Sequence, residues 1–128
     1  AVVNGQRVAV LDDSIVRGTT SKKIIKLLRE AGAKEVHFIS TCPPIKFPCH
    51  YGIDMPTKEE LIASNKEIEE IRTYIDADSL TYQKIENIME ATKKTELCAA
   101  CLSGDYPLSI SNKQKEEMSM SRIISRMD

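Results

Sequence analysis

Val8-Ala9-Val10-Leu11-Asp12-Asp13-Ser14-Ile15-Val16-Arg17-Gly18-Thr19-Thr20-Ser21 is the stretch from which the fold can be read. From Arg7 to Leu11 it is a short apolar run of the kind that forms a buried parallel strand. Two carboxylates and a serine end the run. Thr20 or Ser21 then caps a helix expected to continue to about Gly32. Ile24, Ile25, Leu27, Leu28 and Ala31 recur at helical spacing, with Lys22, Lys23, Lys26, Arg29 and Glu30 on the other side. Val36 to Thr41 reads as a second strand. Strand, loop, helix, turn, strand is a βαβ unit with a right-handed crossover, so the class is α/β with a Rossmann-like parallel sheet.

Working outward, Asn4-Gly5 marks a turn before the first strand. After the second, Pro43, Pro44, Pro48, Pro56 and Gly52 break regular structure in residues 42–56, a loop fixed by its prolines. Three helical stretches are expected next. Thr57 and Glu60 open the first as a capping box, to about Ser64. Ser64 or Asn65 caps the second, with Ile68, Ile71 and Ile75 inward. Ser79 or Thr81 starts the third, with Ile85, Ile88 and Met89 inward. The chain divides into residues 1–56 (βαβ core and Pro-rich loop), 57–110 (a helical segment with a Cys-x-x-Cys pair) and 111–128 (a polar tail, a frayed helix or disorder). Met118, Met120 and Met127 in that tail are too irregular for a binding face. Two strands joined by one helix leave sheet edges that invite self-association.

Size and composition narrow the function. The 128 residues suit one domain. With 18 basic and 19 acidic residues, no charge excess points to nucleic acid or an anionic membrane. No apolar run approaches the ~20 residues of a membrane helix, and no signal peptide is visible, so the cytoplasm is the expected compartment. Four cysteines in such a compartment are more often buried thiols, metal ligands or redox sites than bridges. Cys98-Ala99-Ala100-Cys101 could reach one metal or cluster, act as a dithiol, or be two buried thiols. Cys42 ends an apolar strand and reads as core. His37 reads as a strand residue, His50 as a loop residue or a partner of Cys49, and Tyr51 and Tyr106 as packing residues with a polar tip.

The loop leaving the first strand carries the chemistry. A helix start presents unpaired amides and partial positive charge, which suits a phosphate. Gly18 admits close backbone approach, Thr19, Thr20 and Ser21 add hydroxyls, and Arg17 adds charge. Asp12 and Asp13 would repel phosphate, but they suit a vicinal diol or a magnesium ion bound to it. Phosphate at one end and diol at the other describe a ribose 5-phosphate. The alternative, a plain turn with a helix cap, stays open on these residues alone. Neither a P-loop nor a dinucleotide fingerprint is present.

Asp12-Asp13-Ser14-Ile15-Val16-Arg17-Gly18-Thr19-Thr20 resembles the phosphoribosylpyrophosphate motif of type I phosphoribosyltransferases. Cys42 to Lys46, Pro48 to Asp54 and Glu60 to Ala63 are similar to the glutamine-dependent amidotransferase branch. The resemblance runs from about Arg7 to Pro107. It implies a partial type I phosphoribosyltransferase fold with a helical C-terminal part. It also implies an enzyme of purine synthesis that passes glutamine-derived ammonia to phosphoribosylpyrophosphate. Asp12 and Asp13 would grip the ribose and magnesium, Arg17 to Ser21 would hold the phosphate, and Ser14 would be a further substrate-binding residue. Many members carry a third Asp where this chain has Val16, a base that ammonia does not need. The resemblance further implies a [4Fe–4S] cluster with Cys49, Cys98 and Cys101 as three of four ligands, the fourth lying upstream. It implies a glutaminase domain as partner, purine nucleotides as ligands and a homo-oligomer. Ala1 is not the N-terminal Cys of such a glutaminase, so this chain reads as a piece of a longer polypeptide, inactive alone. A non-catalytic nucleotide-sensing module is the other reading, and an iron–sulfur or zinc protein with an incidental loop the third.

Overall fold

The computed structural model describes residues 2–124; Ala1 and Met127 lie outside the described residues. Three strands form one parallel sheet in the order β1 (Arg7–Asp12), β2 (Glu35–Ser40), β3 (Ser79–Tyr82). The register runs from Arg7 opposite Glu35 to Asp12 opposite Ser40, and from His37 opposite Ser79 to Ser40 opposite Tyr82. β1 and β2 are joined by α1 (Thr19–Glu30), the expected βαβ unit.

β3 corrects the sequence reading, which began a helix at Ser79 or Thr81. Leu80 and Tyr82 fall on the same sheet face as Phe38 and Ser40, and Leu80 packs on the core. Pairing with the open side of β2 outweighs local preference: Asp78 N donates to Val36 O at 2.9 Å and Gln83 N to Ser40 O at 2.9 Å. The sheet therefore has three strands, and the helix α4 starts only at Ile85 and runs to Thr92. Ile85, Ile88 and Met89 are half-buried, with no fully buried residue in α4.

The intervening segments hold a 3-10 turn (Lys58–Glu60), α2 (Ile62–Asn65) and α3 (Ile68–Ile75). The Thr57/Glu60 capping box is present, but Leu61 adopts an extended conformation that separates the turn from α2. α3 is capped by Glu67 with Glu70, not by Ser64 or Asn65. Ile71 and Ile75 are fully buried while Ile68 is half exposed. α5 (Ala100–Ser103) is a single turn, and α6 (Asn112–Ile124) makes the tail helical.

One face of the sheet carries the core. Ile25, Val36, Phe38, Ile71 and Ile75 are wholly buried there between α1, α3 and the strands, each stabilising the fold by roughly 1.5–3 kcal/mol. Leu27, assigned to the inward stripe, is 64% exposed: it falls on the flank of α1 that nothing covers. The opposite sheet face is open, with Leu11 69% exposed beside Ala9 and the polar line Arg7, Glu35, His37 and Ser79. Arg7 Nε donates to Glu35 at 2.6 Å, and the His37 ring bridges Glu35 and Ser79. Among the described residues no helix is long and apolar enough to cross a membrane.

Candidate ribose-phosphate site

The loop Asp12–Gly18 leaves the carboxyl end of β1, where ligands of open α/β sheets gather. Asp12 to Ser14 and Val16 to Ser21 line one concavity of about 280 Å³. Thr41, at the tip of β2, donates from its amide to Asp12 O at 2.9 Å, and its hydroxyl reaches Asp12 O and Asp13 O. The two strand ends therefore hold the acid pair from behind.

The carboxylates stay local. Asp12 Oδ1 accepts the Asp13 amide at 3.0 Å, and Asp13 Oδ1 accepts the Ser14 hydroxyl at 3.1 Å. Neither is in an ion pair among the described residues, so both keep oxygen lone pairs for a further donor or cation. On the other side, none of the amides from Ile15 to Ser21 donates to a protein acceptor among the described residues. Ser21 is 2% exposed as a residue and lines the concavity. Unpaired amides at a helix start are free to accept an anion.

Two details differ from the sequence reading. Helix α1 begins at Thr19 with Gly18 as N-cap, and no side chain caps it, so Thr20 and Ser21 sit inside the first turn. Gly18 is also required by the protein around it. Its φ is +74°, and a Cβ there would meet Ile62 Cδ1 at 3.0 Å and Tyr74 Cε1 at 3.1 Å. Ile62 N also donates to Val16 O at 2.9 Å, so α2 presses the loop into shape. Arg17, expected on the phosphate, gives its Nε and one terminal nitrogen to Glu60 Oε1 at 3.0 and 2.9 Å. Glu60 thus links the capping box to the rim of the concavity. Sequence reading missed Thr41, Ile62 and Tyr74, because their roles rest on contacts from distant chain; only the position of Thr41 at a strand end hinted at one.

The cysteines form no disulfide. Cys42, Cys49 and Cys101 pack with Val16 against Ile45, Met55 and Leu61, while Cys98 is exposed. Burial pushes the Cys42 and Cys101 thiols up, reinforced by neighbouring thiol charges. Among the described residues no three Cys, His, Asp or Glu side chains are grouped to hold a metal ion, so the Cys49, Cys98 and Cys101 set does not fit a cluster as it stands. His50 is buried against Tyr106 at a 4.7 Å ring separation, and Tyr106 donates to Pro48 O at 2.6 Å.

No family model matches the chain. It is 55% identical to the amidophosphoribosyltransferase of Methanothermobacter thermautotrophicus over 107 residues, 82% of this chain and 23% of the relative. The chloroplastic amidophosphoribosyltransferase of Glycine max is 49% identical over 125 residues, 96% of this chain and 21% of that one. The solved structure of B. subtilis glutamine phosphoribosylpyrophosphate amidotransferase complexed with ADP and GMP matches with a TM-score of 0.81 and 49% identity, covering 87% of this chain and 26% of that one. The chain thus spans about a quarter of the length of the relatives it matches. Parallel sheet, crossover helix and acid-hydroxyl loop, matched at this level, define a partial type I phosphoribosyltransferase fold with a helical C-terminal part. More particularly, the chain is homologous over most of its length to one portion of amidophosphoribosyltransferase.

Proposed function

We propose that the chain supplies the ribose 5-phosphate cradle of an amidophosphoribosyltransferase, which transfers glutamine-derived ammonia to phosphoribosylpyrophosphate and gives phosphoribosylamine for purine synthesis. The observation that carries the reading is the division of one concavity. Unpaired amides and Thr19, Thr20 and Ser21 line one part, and two carboxylates outside any described ion pair line the other. The names of the relatives support the same reading.

The amides of residues 15–21, with Thr19, Thr20 and Ser21, would take the phosphate. Asp12 and Asp13 would accept hydrogen bonds from the ribose diol. Two carboxylates beside a phosphate subsite also suit magnesium, which favours one or two protein oxygens completed by substrate oxygens. When bound, that ion would neutralise the pyrophosphate leaving group. Arg17, held by Glu60, would add positive charge at the rim. No residue of the concavity is placed as a strong base, which matches a reaction driven by positioning and charge stabilisation. Ammonia would come from a glutaminase unit, and this chain alone would not turn over glutamine. A cluster on Cys49, Cys98 and Cys101 would need ligands from outside the described residues.

Calorimetric titration tests the cradle. Inorganic phosphate and ribose 5-phosphate should both bind, the latter more tightly. Asp12→Asn with Asp13→Asn should remove that advantage and leave phosphate binding within twofold. Equal loss of both ligands, or binding of neither, would refute the division of labour. The nucleotide-sensing alternative draws on the ADP and GMP bound by the B. subtilis relative. It predicts nucleotide binding by the longer protein without pyrophosphate release from phosphoribosylpyrophosphate.

A further inference from the structure

Arg17 lines two concavities at once, the ligand cradle and a second one of about 200 Å³ walled by Glu59, Glu60, Ile62 and Tyr74. From that second side the site loop is held at three points. Ile62 N donates to Val16 O at 2.9 Å, and the Ile62 and Tyr74 side chains close against Gly18. The third point is Glu60. Its Oε1 accepts the Arg17 Nε–H at 3.0 Å and one terminal nitrogen, Nη2, at 2.9 Å. Its Oε2 accepts the Thr57 amide at 3.0 Å and the Thr57 hydroxyl at 3.3 Å. Both oxygens are therefore engaged, and the capping box that fixes Glu60 also fixes what Glu60 holds. The two bonds to Oε1 leave the other terminal nitrogen of Arg17, Nη1, outside the pair. The two side chains are 42% and 37% exposed, so the ion pair itself adds little to stability. Its effect is on orientation. A loose arginine must freeze several rotors to meet an anion, whereas one held by a fixed carboxylate has lost them in advance. Arg17 lines the cradle while bonded to Glu60, so the pair presents the guanidinium to the cradle.

We propose that Glu60 is a positioning residue of the phosphate cradle, acting on the bound anion through Arg17; the assignment rests on the cradle reading given above. Glu60 touches no ligand. It takes two of the three guanidinium nitrogens, anchors them to the turn at Thr57, and leaves the guanidinium poised at the rim for a phosphate oxygen. With Oε1 on Arg17 and Oε2 on Thr57, the Glu60 charge is neutralised within the protein and does not oppose the anion.

The test is calorimetric titration of the full chain with inorganic phosphate and with ribose 5-phosphate. Arg17→Ala should weaken both about tenfold and Glu60→Ala about fivefold, the scale of one charge-assisted bond at an exposed rim. The double variant should bind like Arg17→Ala alone, because Glu60 acts only through Arg17. Thr57→Ala is the stability control: it removes the hydroxyl but keeps the Thr57 amide on Glu60. It should melt lower and bind within about twofold of the parent, whereas a merely structural Glu60 would make Thr57→Ala and Glu60→Ala weaken binding alike. Tighter binding by Glu60→Ala, an effect that adds to that of Arg17→Ala, or no effect would overturn the assignment. In the unsubstituted chain the Arg17 Nε–H resonance should shift on titration with phosphate and saturate with the calorimetric Kd. An unmoved resonance also overturns it, even where a substitution impairs folding. A parent chain that binds neither ligand takes down the cradle reading and this role together; a parent that binds, with Glu60→Ala unchanged, removes the role of Glu60 alone.

Discussion

Gly18→Ala probes the site loop most directly. Gly18 holds φ at +74°, a left-handed conformation that costs an L-residue about 1–2 kcal/mol. The added methyl also lands 3.0 Å from Ile62 Cδ1 and 3.1 Å from Tyr74 Cε1, closer than ordinary contact. Side chains there must move, and overpacking of this kind costs about 1–3 kcal/mol. The sum is a destabilisation of about 2–5 kcal/mol, or a fall in Tm of roughly 7–19 °C at this chain size. Circular dichroism melts of the parent chain, G18A, I62V and the double variant separate the two causes. Ile62→Val removes the obstructing Cδ1 and costs about 0.5–1.5 kcal/mol by itself. In the double variant the steric part relaxes while the backbone part remains, so the cycle should show a favourable coupling of about 1 kcal/mol. A G18A melt within about 2 °C of the parent, or no coupling, would refute the steric reasoning.

Asp78 fastens three elements: its carboxylate accepts the Val36 amide at 2.6 Å and an Arg29 nitrogen at 3.1 Å. The Val36 hydrogen bond first, and Arg29 after it, hold this carboxyl below the usual carboxylate range. A lowered folded pKa contributes stability above the unfolded value of about 3.9 and loses it as pH falls through the folded one. Denaturant melts of Asp78→Asn should therefore show a constant deficit from pH 5 to 8 that shrinks below about pH 4; a deficit unchanged by acid would contradict this. Tyr82 is pushed up to about 12, chiefly by burial and then by the Cys42 charge. Its ionisation favours the unfolded chain, so its stabilising effect is complete below about pH 10 and lost as pH rises towards 12. Ultraviolet titration should show one tyrosine fewer ionising near pH 10 in the parent than after unfolding, and Tyr82→Phe should remove that difference.

The βαβ unit was legible because its signals are local: an apolar run, a helical stripe and a second apolar run. The third strand was not. Ser79-Leu80-Thr81-Tyr82 is short, and its pairing is decided by the vacant side of β2, far away in sequence. The same distinction runs through the site. Acid, glycine and hydroxyl positions lie within one loop and could be read in order. The Arg17–Glu60 pair, the Thr41 brace and the Ile62–Tyr74 wall come from other parts of the chain, and only the strand-end position of Thr41 hints at any of them. Leu27 illustrates the converse error. Periodicity assigns a residue to a helix flank, but burial depends on whether a neighbour arrives to cover it.

The late position of β3 orders assembly in time. β1, α1 and β2 meet through short connections, whereas β3 docks only after the excursion of residues 41–78 has closed on itself. Closing that longer loop carries the larger entropic penalty, so the first two strands are the natural nucleus and the third the last to join and first to leave. Asp78, at the point of closure, is then a latch, and the amides linking β2 to β3 would exchange with solvent through partial openings that leave the β1–β2 ladder protected.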